Sequence, residues 1–263
     1  MARNRSGLVS RTTGIVLLCG LTVLVVVAVI VAPRVSQPLS YHNFADQRAW
    51  LGIPNFDDVV SNLPFAFFGV WGLIFLFGKQ SEQSFADQRE RWPYVFVFLG
   101  LLLTALGSSY YHLAPNNARL VWDRLPMTIV FMALVAALIG ERISIRLSLI
   151  LLPVLLLIGA GSVVRWYWSE LHGRGDLRIY AAVQVYAGFV LLLMLIFPAK
   201  YTRSSDYAVI AAFYALAKIL ELTDRKIFHA IHVVSGHTLK HLAAAMAGYW
   251  ILRMLQKRRT ITT

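Results

Sequence analysis

The sequence predicts an all-α, polytopic transmembrane helix bundle, and three observations predict it. Apolar residues make up 58% of the 263-residue chain and charged residues only 14%, with a mean hydropathy of +0.62. Soluble domains run at roughly 45–50% apolar and about 25% charged, so a soluble fold of this size cannot hide so much apolar surface. The third observation is a series of eight apolar runs at or near the ~20 residues a helix needs to cross a bilayer. None alternates with the period of two that a membrane β-strand shows, which leaves helices as the elements that satisfy the backbone in lipid.

The runs fall at 14–32, 58–78, 94–112, 125–140, 146–164, 179–198, 207–222 and 237–255. Arg3, Arg5 and Arg11 precede the first run, as they would precede a signal peptide. The run has nineteen residues, longer than the ~7–15 of a cleaved signal, and Ile30-Val31-Ala32-Pro33 is a poor cleavage context. A retained signal-anchor helix is expected. Pro64, Pro126 and Pro153 fall near helix starts or in interior positions where a transmembrane helix tolerates proline. The fourth and seventh runs are short and the eighth carries Lys240 and two histidines, so these three rest partly on their order in the chain. Trp166-Tyr167-Trp168 ends the fifth run as an interfacial aromatic belt would. The expected organisation is a basic N-terminus and anchor helix over 1–40, a seven-helix membrane domain over 41–255, and a basic tail over 256–263.

A net charge of +12 would suggest nucleic acid in a soluble protein. Here no basic run is interleaved with aromatics, so no nucleic-acid partner is expected, and the charge is read as orientation. With eight spans, fourteen Lys and Arg fall on the side of the termini against nine on the other, which predicts cytoplasmic termini. Cys19 is the lone cysteine, so no internal disulfide forms.

Polar residues at membrane depth are costly, and they mark function. Eight of the thirteen acids and all seven histidines fall on the predicted non-cytoplasmic side. Ser108 and His112 are four residues apart near the end of the third run and share a helix face. Asp123 follows just before the fourth run. His237 and His241 repeat the four-residue spacing in the eighth run, which lets two imidazoles reach one ion. Three histidines and a water match a catalytic zinc site. A carboxylate such as Asp123 can take the proton of the water, and a hydroxyl such as Ser108 can donate to a developing oxyanion. The bland readings are interfacial histidines, an Asp123 placed by the helix dipole, and a Ser108 bonded back to a carbonyl. Spacing alone leaves both sets open.

The pattern Ser108-x-x-x-His112, Asp123, His237-x-x-x-His241, in the second, third and seventh helices of a core counted from residue 58, resembles the alkaline ceramidases. It is similar also to their wider superfamily of membrane hydrolases, which includes the adiponectin and progestin receptor proteins. Asp57-Asp58-Val59-Val60-Ser61-Asn62-Leu63 resembles the ceramidase entry to the first core helix. The resemblance spans about 41–255, with helix 14–32 as an addition. It implies a seven-helix ceramidase-like core, zinc on His112, His237 and His241, Asp123 as general acid/base and Ser108 as oxyanion helper. The implied substrate is a lipid amide within the bilayer, ceramide or another N-acyl lipid. It implies calcium ahead of the first core helix, for which Asp46, Asn55, Asp57 and Asp58 supply oxygens, although the family's Trp- and Glu-containing pattern is not reproduced. His229 and His232 match no motif and read as surface residues, while Glu221 and Asp224 are placed where an acid can orient a ligand histidine. The rival readings are a receptor-like protein, a transporter and a haem protein with histidine axial ligands.

Overall fold

The computed structural model describes residues 11–261, and Arg3, Arg5 and the last two threonines lie outside them. Among the described residues there are ten α-helices and no strands: α1 Arg11–Val31, α2 Phe56–Val60, α3 Leu63–Phe77, α4 Arg91–Leu113, α5 Asn117–Arg142, α6 Ile145–Leu171, α7 Arg178–Leu195, α8 Asp206–Leu222, α9 Asp224–Ile231 and α10 Gly236–Lys257. Six helical stretches (α1, α2–α3, α4, α5, α6 and α7) are long and apolar enough to cross a membrane, and the chain is an integral, multi-pass membrane protein. The seventh and eighth expected runs also form helices, α8 and α10, which pack on each other. α8 has only 17 residues, and α10 carries basic residues and histidines through its apolar sequence.

Local sequence sets the helix starts. Asn116 accepts from the Arg119 amide at 2.9 Å, Ser144 from Leu147 at 3.4 Å and Ser235 from Thr238 at 3.0 Å, each satisfying an orphan donor of a first turn. The described core packs Leu76, Phe98, Met132, Val190 and Leu252 between the helices. In lipid the helices gain little from hydrophobic transfer, so close packing over small residues brings them together. Gly107 shows this at the functional end. A Cβ there would lie 1.9 Å from the Trp122 carbonyl oxygen, so only glycine lets α4 approach the start of α5.

Two expectations change. The Trp166-Tyr167-Trp168 cluster is not a uniform belt, because α6 continues through it to Leu171. Trp166 is fully buried beneath the Arg124 guanidinium, whereas Trp168 is exposed. The chain after residue 255 is not simply a basic tail. α10 continues to Lys257, Arg258 is buried against Glu141, and Thr260 bridges Tyr201. α1 lies at the edge of the bundle against α7, tied where Arg178 donates to the Val29 and Ala32 carbonyls. Residues 33–55 then run back over one end of the bundle, and that end carries the polar motifs.

Candidate metal centre

Three helix ends meet beneath this outer loop. α4 contributes Ser108 and His112 from its last turns, α5 contributes Asp123 from its second turn, and α10 contributes His237 and His241 from its first two turns. All five side chains are buried. The ligating nitrogens of His112, His237 and His241 lie within 4.8 Å of one another, the sole such group of three among the described residues. Their ring centroids form a nearly equilateral triangle with sides of 4.9, 5.0 and 4.9 Å. Buried polar atoms are almost always paired, yet His112 Nδ1 has no partner. Three imidazoles converging in this way, one with an orphaned nitrogen, fit a divalent transition metal, for which imidazole is a preferred donor.

The surroundings aim the rings. The Ser61 hydroxyl donates to the Asp58 carbonyl at 3.1 Å and so accepts from His241 Nδ1 at 2.8 Å. That leaves the Nε2 lone pair of His241 free for the cluster. Asp224 accepts from the His237 amide at 2.8 Å and from the Ala45 amide at 3.0 Å, joining the start of α10 to the outer loop. Gly236 permits this approach, since a Cβ there would lie 2.4 Å from the Leu220 carbonyl oxygen. The Phe44 ring covers His112 and His237, with centroids at 4.6 and 4.5 Å. The Asn55 amide donates to the His112 carbonyl at 2.8 Å.

Lys240 adds a cation. Its Nζ donates to His237 Nε2 at 2.8 Å and lies 3.4 Å from Glu221 Oε1, while Lys218 holds the other Glu221 oxygen at 2.5 Å. A metal ion held by His237 Nε2 would compete with this ammonium, for which Glu221 is the neighbouring acceptor. Ser108 is a neighbour of the Asp123 carboxyl. Arg124, the neighbour that would have made Asp123 half of a surface ion pair, instead stacks between Trp166 and Tyr180 and bonds Gln37.

The four calcium candidates do not converge. Asn55 serves the His112 carbonyl. Asp58 accepts from Thr238 at 2.7 Å and Ser235 at 3.5 Å, docking α2 onto α10. Asp46 and Asp57 share one arginine, Arg48. Burial pushes the Asp46 carboxyl up, but the hydrogen bonds and charge of Arg48 outweigh it and hold the group below the usual carboxylate range. His229 and His232 are exposed, as expected. His42, in the loop, bonds Tyr111 and Asn117 at 2.9 Å each. Burial is the main cause that lowers its basicity, and the Arg124 charge adds to it.

Of the residues beyond the motif, Asp224 and Glu221 were legible as acids near α10. Ser61, Phe44 and Lys240 were not assigned roles, because their partners lie far along the chain or need a known helix face. Ser61 is the sharpest test among them. Ser61→Ala is expected to weaken metal affinity by about 10–100-fold, the usual cost of losing an outer hydrogen bond to a ligand, as read by competition with a chromogenic chelator.

No protein-family model matches the chain, and no curated protein sequence matches it. Fold and site together define a multi-pass helical membrane protein with a buried three-histidine centre that can bind a metal ion.

Proposed function

We propose that this protein is a zinc-dependent membrane hydrolase that cleaves the amide bond of a lipid, ceramide or another N-acyl lipid, into a fatty acid and an amine. The observation that carries the reading is the triangle of buried histidines, and Asp123 and Ser108, buried on α5 and α4, are the groups the reading assigns to it. Three neutral nitrogen ligands leave a fourth position open, the arrangement of catalytic rather than structural zinc. When bound, zinc supplies a Lewis acid and brings the pKa of a water to about 7.

The residues of the chain do the rest. Asp123, buried near the start of α5, accepts the proton of the attacking water as its oxygen bonds to the amide carbon. Ser108 donates to the carbonyl oxygen as negative charge develops there. Asp123 then passes the proton to the departing nitrogen as the C–N bond breaks, so that one water and one amide become one acid and one amine. Phe44 and the outer loop keep bulk water from the centre. A site at the end of the bundle suits a lipid whose amide lies near headgroup level. The charge distribution supports cytoplasmic termini, and with that orientation the centre would lie near the non-cytoplasmic face. A C-terminal tag protected from protease on intact cells is the check.

The test is release of fatty acid from a panel of N-acyl lipids in mixed micelles. Asp123→Asn is expected to retain metal and lose about 10²–10⁴-fold in kcat, the contribution typical of a general acid/base. Ser108→Ala is expected to lose on the order of 10²-fold. Full activity in Asp123→Asn, or no release from any N-acyl lipid by the metal-loaded protein, would defeat the reading.

A further inference from the structure

We propose that Arg48 is the resident cation of the outer loop, its guanidinium standing where a divalent cation would otherwise bridge carboxylates and carbonyls, and that it locks the loop over the histidine centre. The contacts are those of a cage. Arg48 Nε donates to Asp46 Oδ1 at 2.8 Å. Nη2 donates to Asp46 Oδ2 at 2.6 Å, to Asp57 Oδ2 at 3.2 Å and to the Val233 carbonyl at 2.6 Å, and Nη1 reaches the His232 carbonyl at 3.4 Å. Five oxygens from three segments (the outer loop, the start of α2 and the turn before α10) meet one side chain. Two carboxylates and two main-chain carbonyls are the donors a calcium ion takes, at about 2.3–2.6 Å. A guanidinium already bonded to the same oxygens excludes such an ion, and its planar fork suits both oxygens of Asp46.

The backbone is arranged to the same end. His232 closes α9 with φ at 59°, in the left-handed region, and it and Val233 both present carbonyls to Arg48. The cage then closes a ring around the centre. Asp46 is two residues from Phe44, whose ring covers His112 and His237, and Val233 is four residues before His237. Asp224 completes the ring by holding the Ala45 and His237 amides together. Arg48 is thus a positioning residue for the lid. Its side chain is 54% exposed, so its effect is local to the loop rather than global.

The experiment compares wild type, Arg48→Met and Arg48→Lys as full-length protein in detergent, reading amide hydrogen exchange over residues 44–48 and calcium binding by titration calorimetry. Neither readout requires the histidines to hold metal or the protein to be a hydrolase, so failure here is distinct from failure of the proposed function. Wild type is expected to bind no calcium, and its loop exchange is expected not to respond to millimolar calcium. Arg48→Met is expected to exchange about 10-fold faster in the loop alone, and calcium is expected to slow it again. Arg48→Lys, which keeps the charge without the fork, should fall between the two. Stoichiometric calcium binding by wild type would overturn the inference. So would loop exchange in Arg48→Met equal to wild type, or an Arg48→Lys variant no better than Arg48→Met. Should Arg48→Met not fold, wild-type calcium binding and the lysine variant still decide.

Discussion

The His237→Ala/His241→Ala double variant is expected to bind no metal, against about one zinc ion per chain in wild type purified after zinc-replete expression. The triangle explains why the effect is complete. With two of three imidazoles gone, His112 alone remains, and one nitrogen cannot hold a hydrated ion against water. The loss should far exceed the 10–100-fold expected for Ser61→Ala, because a donor is removed rather than loosened. Linkage supplies a second reading. A ligand that binds only the folded state stabilises it by about 4 kcal/mol at a thousand times its Kd, so added zinc should raise the wild-type Tm and leave that of the variant unmoved. The Ser235 cap, the Asp224 bond to the amide of residue 237 and the apolar contacts of α10 all survive the change, so the variant should still fold. Metal analysis and far-ultraviolet circular dichroism on the same samples separate the outcomes. Stoichiometric zinc in a folded variant, or none in wild type, would remove the histidines from any metal chemistry.

Much of this site was legible because its residues sit at helix ends with a fixed spacing. A four-residue step puts Ser108 with His112 and His237 with His241 on one face each, whatever the rest of the chain does. The bundle was legible for a similar reason, since hydropathy reports long apolar helices directly. It fails where helices carry charge. α6 runs on past Arg165 to Leu171 because Trp166 and Glu170 face inward toward Arg124 and Gln37. The short α9 is a strongly amphipathic surface helix that no span search finds. The orienting contacts were hidden because they join residues distant in sequence: Ser61 with His241, Asp58 with Thr238, Arg48 with Val233. Asp46, Asn55, Asp57 and Asp58 read as one ligand group from proximity in the chain, and folding sends them to different partners: Arg48, the His112 carbonyl, and Thr238 with Ser235. Arg48 stood among them in the sequence, and its basic character was itself the signal that the local charge is already met.

The second large effect lies at the opposite end of the bundle, where α4 and α8 begin and α5 and α10 end. Glu141→Leu or Arg258→Met is expected to destabilise the protein by about 3–5 kcal/mol, the usual cost of stranding one partner of a buried ion pair. Arg258 is 1% exposed. It pairs with Glu141, donates to the Ser84 carbonyl at 2.9 Å, and lies over the rings of Phe85, Tyr94 and Tyr201. Glu141 also accepts from Tyr94 at 2.5 Å and Tyr207 at 2.9 Å, so four helix termini meet on one carboxylate. Removing the charge from Glu141 leaves a guanidinium with no anion in a dry site, and removing Arg258 leaves a carboxylate held only by phenols. Replacing both, as Glu141→Leu/Arg258→Met, strands neither charge. That variant should recover most of the loss, leaving chiefly the cost of two phenol hydroxyls without their acceptor. Thermal unfolding of the four proteins in one detergent forms a double-mutant cycle, and a strongly non-additive result is the expected signature. Additive losses would mean that the two groups act separately, with the carboxylate serving the tyrosines and the arginine serving the aromatic rings. Zinc content should be unchanged in every variant that folds, because the histidine triangle is built at the other end of the same helices.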